Sequence, residues 1–255
     1  MRAGSTDRPL GVRLATAMLV STFLDDGVRE LLTFHAQCAY LESPLNHIVL
    51  PHALAAAYVL LSLLTQLGAG GYVLLAVLCS PSSSWRHLRT ASLCLSAFVL
   101  SSLLLYGVGQ PASQHAQGRA VFLLRNASLL GGLLLLLAST HPSHCMRQLL
   151  RLAARLLLAL HALELAPAQA LPVVLLVDAA CVPLALLLAL GLFTRHAAAL
   201  LAAAAAAADL CLNHFWYGFR YNDNIRYYFF EDLALVGGLA LFALTAREGE
   251  DVGLD

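Results

Sequence analysis

Two polar pairs stand inside long apolar runs. Arg125 and Asn126 interrupt FLLRNASLLGGLLLLLA at Phe122–Ala138, and Glu231 and Asp232 interrupt YFFEDLALVGGLALFALT at Tyr228–Thr245. Each pair precedes a glycine pair, Gly131-Gly132 or Gly237-Gly238, by the same distance. The two polar pairs differ in charge and can neutralise each other. A charge placed in hydrocarbon costs about 2.5–3.5 kcal/mol on insertion scales, so each needs a partner or water. Asp25, Asp26 and Arg29 end the first apolar run, Asp209 and Asn213 lie near the end of another, and Asp178 lies inside a third. The chemistry these residues suit is binding of a charged or polar ligand in a polar cavity. The sequence has no GxSxG, P-loop, GxGxxG or HExxH pattern, so no enzyme is expected. The histidines, including His47, His52, His141 and His144, lack metal-ligand spacing, and neither a metal nor a cofactor is expected. The six cysteines are scattered without CxxC spacing and read as small core residues. Asn126-Ala127-Ser128 matches the glycosylation sequon but falls within a span, out of reach of the modifying enzyme.

The elements that must carry these residues are membrane helices. The chain is 60% hydrophobic and only 12% charged, against about 25% charged in a soluble domain. Apolar runs recur at intervals near the ~20 residues that cross a bilayer. About eight spans are expected, near 12–34, 47–66, 90–109, 119–139, 148–165, 171–193, 195–213 and 227–246, with Gly68-Ala69-Gly70-Gly71 either breaking the second or extending it to Cys79. The first and fifth are the most polar, and seven spans result if one of them lies in the interface. The fold class expected is an all-α polytopic transmembrane bundle forming one domain over 1–255. Its two parallel four-span repeats cover about 12–139 and 148–246, followed by an acidic tail at 247–255. Arg13-Leu14-Ala15 recurs as Arg151-Leu152-Ala153, which sets the expected register between the halves. All fifteen basic residues are arginine and net charge is zero, with no basic patch suited to nucleic acid. Arginines gather at the start, near 86–89, at 147–155 and at 195, on one side of an eight-span topology. The positive-inside rule makes that side, with both termini, cytosolic. The polar candidates other than Asp178 then face the lumen. His214–Tyr228, the most aromatic segment, joins the last two spans there. Trp216 and Tyr227 are its candidate apolar walls, and such rings also form interfacial belts.

STFLDDGVRE at Ser21–Glu30 and LLRNASLLGGLLLLLAS at Leu123–Ser139 resemble stretches of the Surfeit locus protein 4 family of endoplasmic-reticulum cargo receptors. The family's stretches read STFLEDGIR and MRN…GGLLLLLAE. GLFTR at Gly191–Arg195, NHFW at Asn213–Trp216 and YYFFEDLALVGGLAL from Tyr227 resemble GFKTK, NAFW and YDFFQ…IGGLLL. The resemblance implies binding of soluble secretory cargo in the lumen, through short hydrophobic signals near cargo N-termini. It also implies loading into coated vesicles bound for the Golgi, with coat components and membrane lipids as further partners. Self-association is left open. The expected cargo-binding set is Asp25, Asp26, Arg29, Arg125, Asn126, Asn213, Trp216, Tyr227, Glu231 and Asp232. Two departures stand out. The chain ends in REGEDVGLD where animal members carry a lysine-rich retrieval tail, and Glu231-Asp232 replace an uncharged pair. The alternative expectation is a lipid- or small-solute-handling protein, whether a transporter, a scramblase or a quinone-linked subunit of the DoxX-like type.

Overall fold

A computed structural model describes residues 9–43, 49–79, 85–107, 116–162, 172–212 and 223–246. Among them the regular structure is all helical, in the order α1 (Leu10–Leu32), α2 (Phe34–Glu42), α3 (His52–Leu64), α4 (Gly71–Leu78), α5 (Trp85–Ser102), α6 (Ala116–Thr140), α7 (His144–Ala162), α8 (Pro172–Leu190), α9 (Thr194–Leu212) and α10 (Asp223–Thr245). A π-helical turn, Thr65–Gly70, joins α3 to α4 without a break, and a second, Leu103–Gly107, continues α5. The chain therefore places a helix at each of the eight expected spans. The second runs on to Leu78 through its π turn, and α2 is an additional short helix. Pro9 and Pro51 stand just before α1 and α3, where a preset φ helps and a missing N–H costs little.

Among the described residues, four segments, His52–Cys79, His87–Tyr106, Phe122–Thr140 and Ile225–Thr245, are long and apolar enough to cross a membrane. The more polar helices are α1 with Asp25, Asp26, Arg29 and Glu30, α7 with three arginines, and α9 with Arg195 and Asp209. Leucines such as Leu60, Leu75, Leu100 and Leu156 are exposed on the bundle's outside, as hydrocarbon contact requires. For the same reason apolar surroundings do not report burial here. Cys38 and Cys181 are core residues as expected, whereas Cys79, Cys94, Cys145 and Cys211 lie on the outer surface.

The centre of the bundle is made by α1, α6, α7 and α10, with Leu19, Leu133, Leu158 and Leu239 fully buried among them. The glycine pairs set this packing. A Cβ on Gly237 of α10 would lie 2.6 Å from the Ala15 carbonyl oxygen of α1, and one on Gly131 of α6 would lie 3.0 Å from the Ala154 carbonyl oxygen of α7. The second glycines turn the other way: Gly132 faces Leu19 of α1, Gly238 faces Leu158 of α7, and the two meet each other across α6 and α10. The contacts in one half are thus repeated in the other. Small residues let helix backbones approach this closely, and packing replaces the hydrophobic drive that lipid does not supply. These contacts match Ala15 with Ala154 and Leu19 with Leu158. The expected match of Arg13 with Arg151 is therefore one residue out of register. In a leucine- and alanine-rich helix a shift by one leaves the composition almost unchanged, so only packing fixes the register.

Candidate functional site

α1 supplies three of the four charged side chains that line the site, Asp26, Arg29 and Glu30. Phe23, Asp26 and Glu30 follow at spacings of three and four, which puts them on one helix face. That face looks into a cavity of about 200 Å³ bounded also by α2, the two π turns, α5, α6 and α10. Asp26 Oδ1 lies 3.1 Å from Arg29 Nη2 one turn later. The Arg29 guanidinium stacks over the Tyr227 ring of α10, 4.3 Å from its centroid. Such a cation–π contact is favourable and holds both groups in place. Asn126 donates from Nδ2 to the Phe122 carbonyl in its own helix, 2.9 Å away, and is buried. The sequon asparagine thus stands buried in the middle of α6.

Behind the cavity wall, ion pairs among the described residues tie the helices together. Arg125 Nη1 of α6 lies 2.5 Å from Glu231 Oε2 of α10. Arg125 Nη2 reaches towards Asp232 Oδ1 at 3.9 Å, and the guanidinium lies over the Tyr228 ring at 4.7 Å. Asp25 of α1 pairs with Arg226 of α10 through Oδ1 and Nε at 3.0 Å. Of the ten candidates, Asp26, Arg29, Asn126, Tyr227 and Glu231 line the cavity. Asp25, Arg125 and Asp232 stand in the pairs that brace it. Asn213 and Trp216 lie outside the described residues, as does the side chain of Asp178. Asp209 is buried on α9, away from this lining.

The sequence reading missed Glu30 and Gln66. Glu30 Oε2 accepts hydrogen bonds from Ser62 Oγ and Gln66 Nε2, each at 2.7 Å. Gln66 Nε2 also lies 3.0 Å from Ser62 Oγ. Among the described residues no basic side chain forms an ion pair with Glu30, and the Gln66 Oε1 atom is buried without a donor. Gln66 sits in the first π turn and Tyr106 in the second, and both line the cavity. Interruptions of this kind recur at functional sites because they shift side chains out of the α-helical register. The available signal was helical spacing: Glu30 is one turn beyond Asp26, and Gln66 is a lone amide in the run SLLTQLGAGG. The cavity therefore holds acceptors in excess of donors, with Phe23, Phe98 and Phe122 as apolar walls. No cluster of metal-ligating side chains occurs among the described residues.

An all-α bundle of membrane-spanning type with a polar cavity between its helices defines the class: a polytopic helical membrane protein. Within that class the chain belongs to the SURF4 family, whose model matches residues 7–252. It is similar to the Surfeit locus protein 4 homolog of Drosophila melanogaster, with 28% identity over 252 residues that cover 92% of this chain and 86% of the relative. No solved structure matches it.

Proposed function

We propose that this protein is a cargo receptor of the endoplasmic-reticulum membrane. It binds soluble secretory proteins on the lumenal side and promotes their export to the Golgi in coated vesicles, with both termini in the cytosol. The observation that carries the reading is the Glu30–Gln66 corner, where among the described residues the carboxyl group has no basic ion-pair partner and the amide oxygen beside it has no donor. An ammonium group brings three N–H donors and a positive charge to such a corner. A cavity of about 200 Å³ is smaller than the ~300–1,000 Å³ of ordinary ligand pockets. It suits the end of a chain, with the first apolar side chain against Phe23, Phe98 or Phe122, and not a folded surface. The family membership supports the same reading.

The direct test is secretion proteomics of cells lacking the protein together with cross-linking of its cargo. Soluble secretory proteins accumulate in the reticulum, and Glu30→Gln cuts cross-linking about tenfold at unchanged protein level, since one charge-assisted contact is worth about 1.5–3 kcal/mol. If no secretory protein is retained in those cells, the receptor reading fails. The small volume also favours a second reading, a site for a small solute or lipid. Terminal acetylation separates the two: a cargo peptide with a blocked amine no longer binds a receptor of this design, whereas solute handling does not depend on the peptide.

A further inference from the structure

The geometry points to a binding site for the anionic headgroup of a membrane phospholipid on α7, apart from the cavity. Arg147, Arg151 and Arg155 recur every four residues, which stacks them on one side of the helix, and α7 contains no acidic residue. The Nε atoms of Arg147 and Arg155 are buried and meet no acceptor among the described residues. Both side chains are only half-buried, so a headgroup meets their remaining guanidinium nitrogens, and a phosphate oxygen is the acceptor that the planar fork of arginine matches.

The depth is right for a headgroup. Leu158 of α7 packs on Gly238 of α10, and the two helices run in opposite directions. Arg151 stands as far back along α7 from Leu158 as Thr245, the end of α10, stands beyond Gly238. The three arginines thus straddle the end of the bundle, on the side that carries most of the basic residues. Leu149, Leu152 and Leu156 are exposed on an adjoining face of α7. The turn after α8 adds to the surface. Arg155 Nη1 lies so close to Gly191 that a Cβ there would be 2.6 Å away. Two residues on, Phe193 is 69% exposed and adopts a φ of 50°, a region bulky residues rarely enter. Free phosphate would use the guanidinium groups but not these apolar side chains, so the occupant is a lipid. Juxtamembrane arginines attract anionic lipids in this way.

The test uses the full-length protein in phosphatidylcholine nanodiscs doped with photoactivatable phosphatidylserine or photoactivatable phosphatidylcholine. After photolysis the phosphatidylserine probe labels α7 and the turn after α8 about tenfold more than the phosphatidylcholine probe. The double variant Arg147→Gln/Arg155→Gln loses that excess, and Arg147→Lys/Arg155→Lys keeps most of it. Equal labelling by the two probes, labelling confined to other helices, or an excess that survives the glutamine pair overturns the site. If the glutamine pair does not fold, the comparison of probes on the natural protein and the lysine pair still decides.

Discussion

Arg125 Nη1 and Glu231 Oε2 meet at 2.5 Å, and the two residues occupy the same position relative to the glycine pair in each half of the chain. α6 and α10 pack in parallel, with Gly132 against Gly238, so equivalent positions face each other along the line where the halves join. Opposite charges at these equivalent positions attract across that line. Both side chains are mostly shielded, at 16% and 5% exposure, so the pair is held where solvent screens it little.

Breaking this pair takes a buried charge away from its nearest opposite charge. Arg125→Ala or Glu231→Ala is expected to cost about 3–5 kcal/mol, read as a lower thermal midpoint in detergent and a lower level in cells. The exchange Arg125→Glu/Glu231→Arg recovers part of that loss. An exchange no better than the single variants would show that surrounding contacts, and not the pair, set the stability.

The glycine contacts are steric and discriminating. A Cβ at Gly237 would lie 2.5 Å from the Leu19 backbone nitrogen and 2.6 Å from the Ala15 oxygen, whereas nothing lies within 4 Å of one at Gly68. Gly237→Ala therefore forces α10 away from α1 and is expected to destabilise by about 1–3 kcal/mol. Gly68→Ala leaves the midpoint unchanged or slightly raised. Equal midpoints for the two variants would count against close helix approach as the role of Gly237.

Tyr227 shapes the cavity by stacking on Arg29. Tyr227→Leu removes an interaction of about 0.5–2 kcal/mol and releases Arg29, so cargo cross-linking falls while the protein level holds. Tyr227→Phe keeps the ring face and most of the cross-linking. A fall as large in Tyr227→Phe would assign the effect to the hydroxyl.

Arg13 closes the opposite end of the first half. Its Nε donates to the Val77 carbonyl at 2.7 Å and its Nη2 to the Leu78 carbonyl, at the end of α4 where carbonyls lack helical partners. Arg13→Gln is expected to destabilise by about 1–3 kcal/mol, seen as faster hydrogen exchange at the end of α4. Exchange confined to α1 would contradict this capping role.

The sequence alone makes the membrane class, the helices, the glycine pairs and the matched polar positions legible. These are written in composition and local spacing, and a charge in an apolar run announces its need for a partner. It also pointed to Arg125, Glu231, Asp26 and Tyr227. Which of these line a cavity and which brace it follows from how the helices pack. Asp25 and Asp26 are neighbours in sequence, yet one pairs with Arg226 and the other faces the cavity, because adjacent residues on a helix point about a quarter-turn apart. Glu30 and Gln66 gained their meaning only when α1 met the π turn. Ser62 and Gln66 come to Glu30 from more than thirty residues away. Hydropathy could not foresee these meetings, because in lipid the outside of a bundle is as apolar as its core. Packing around the glycines, and not the exclusion of water, brings such residues together.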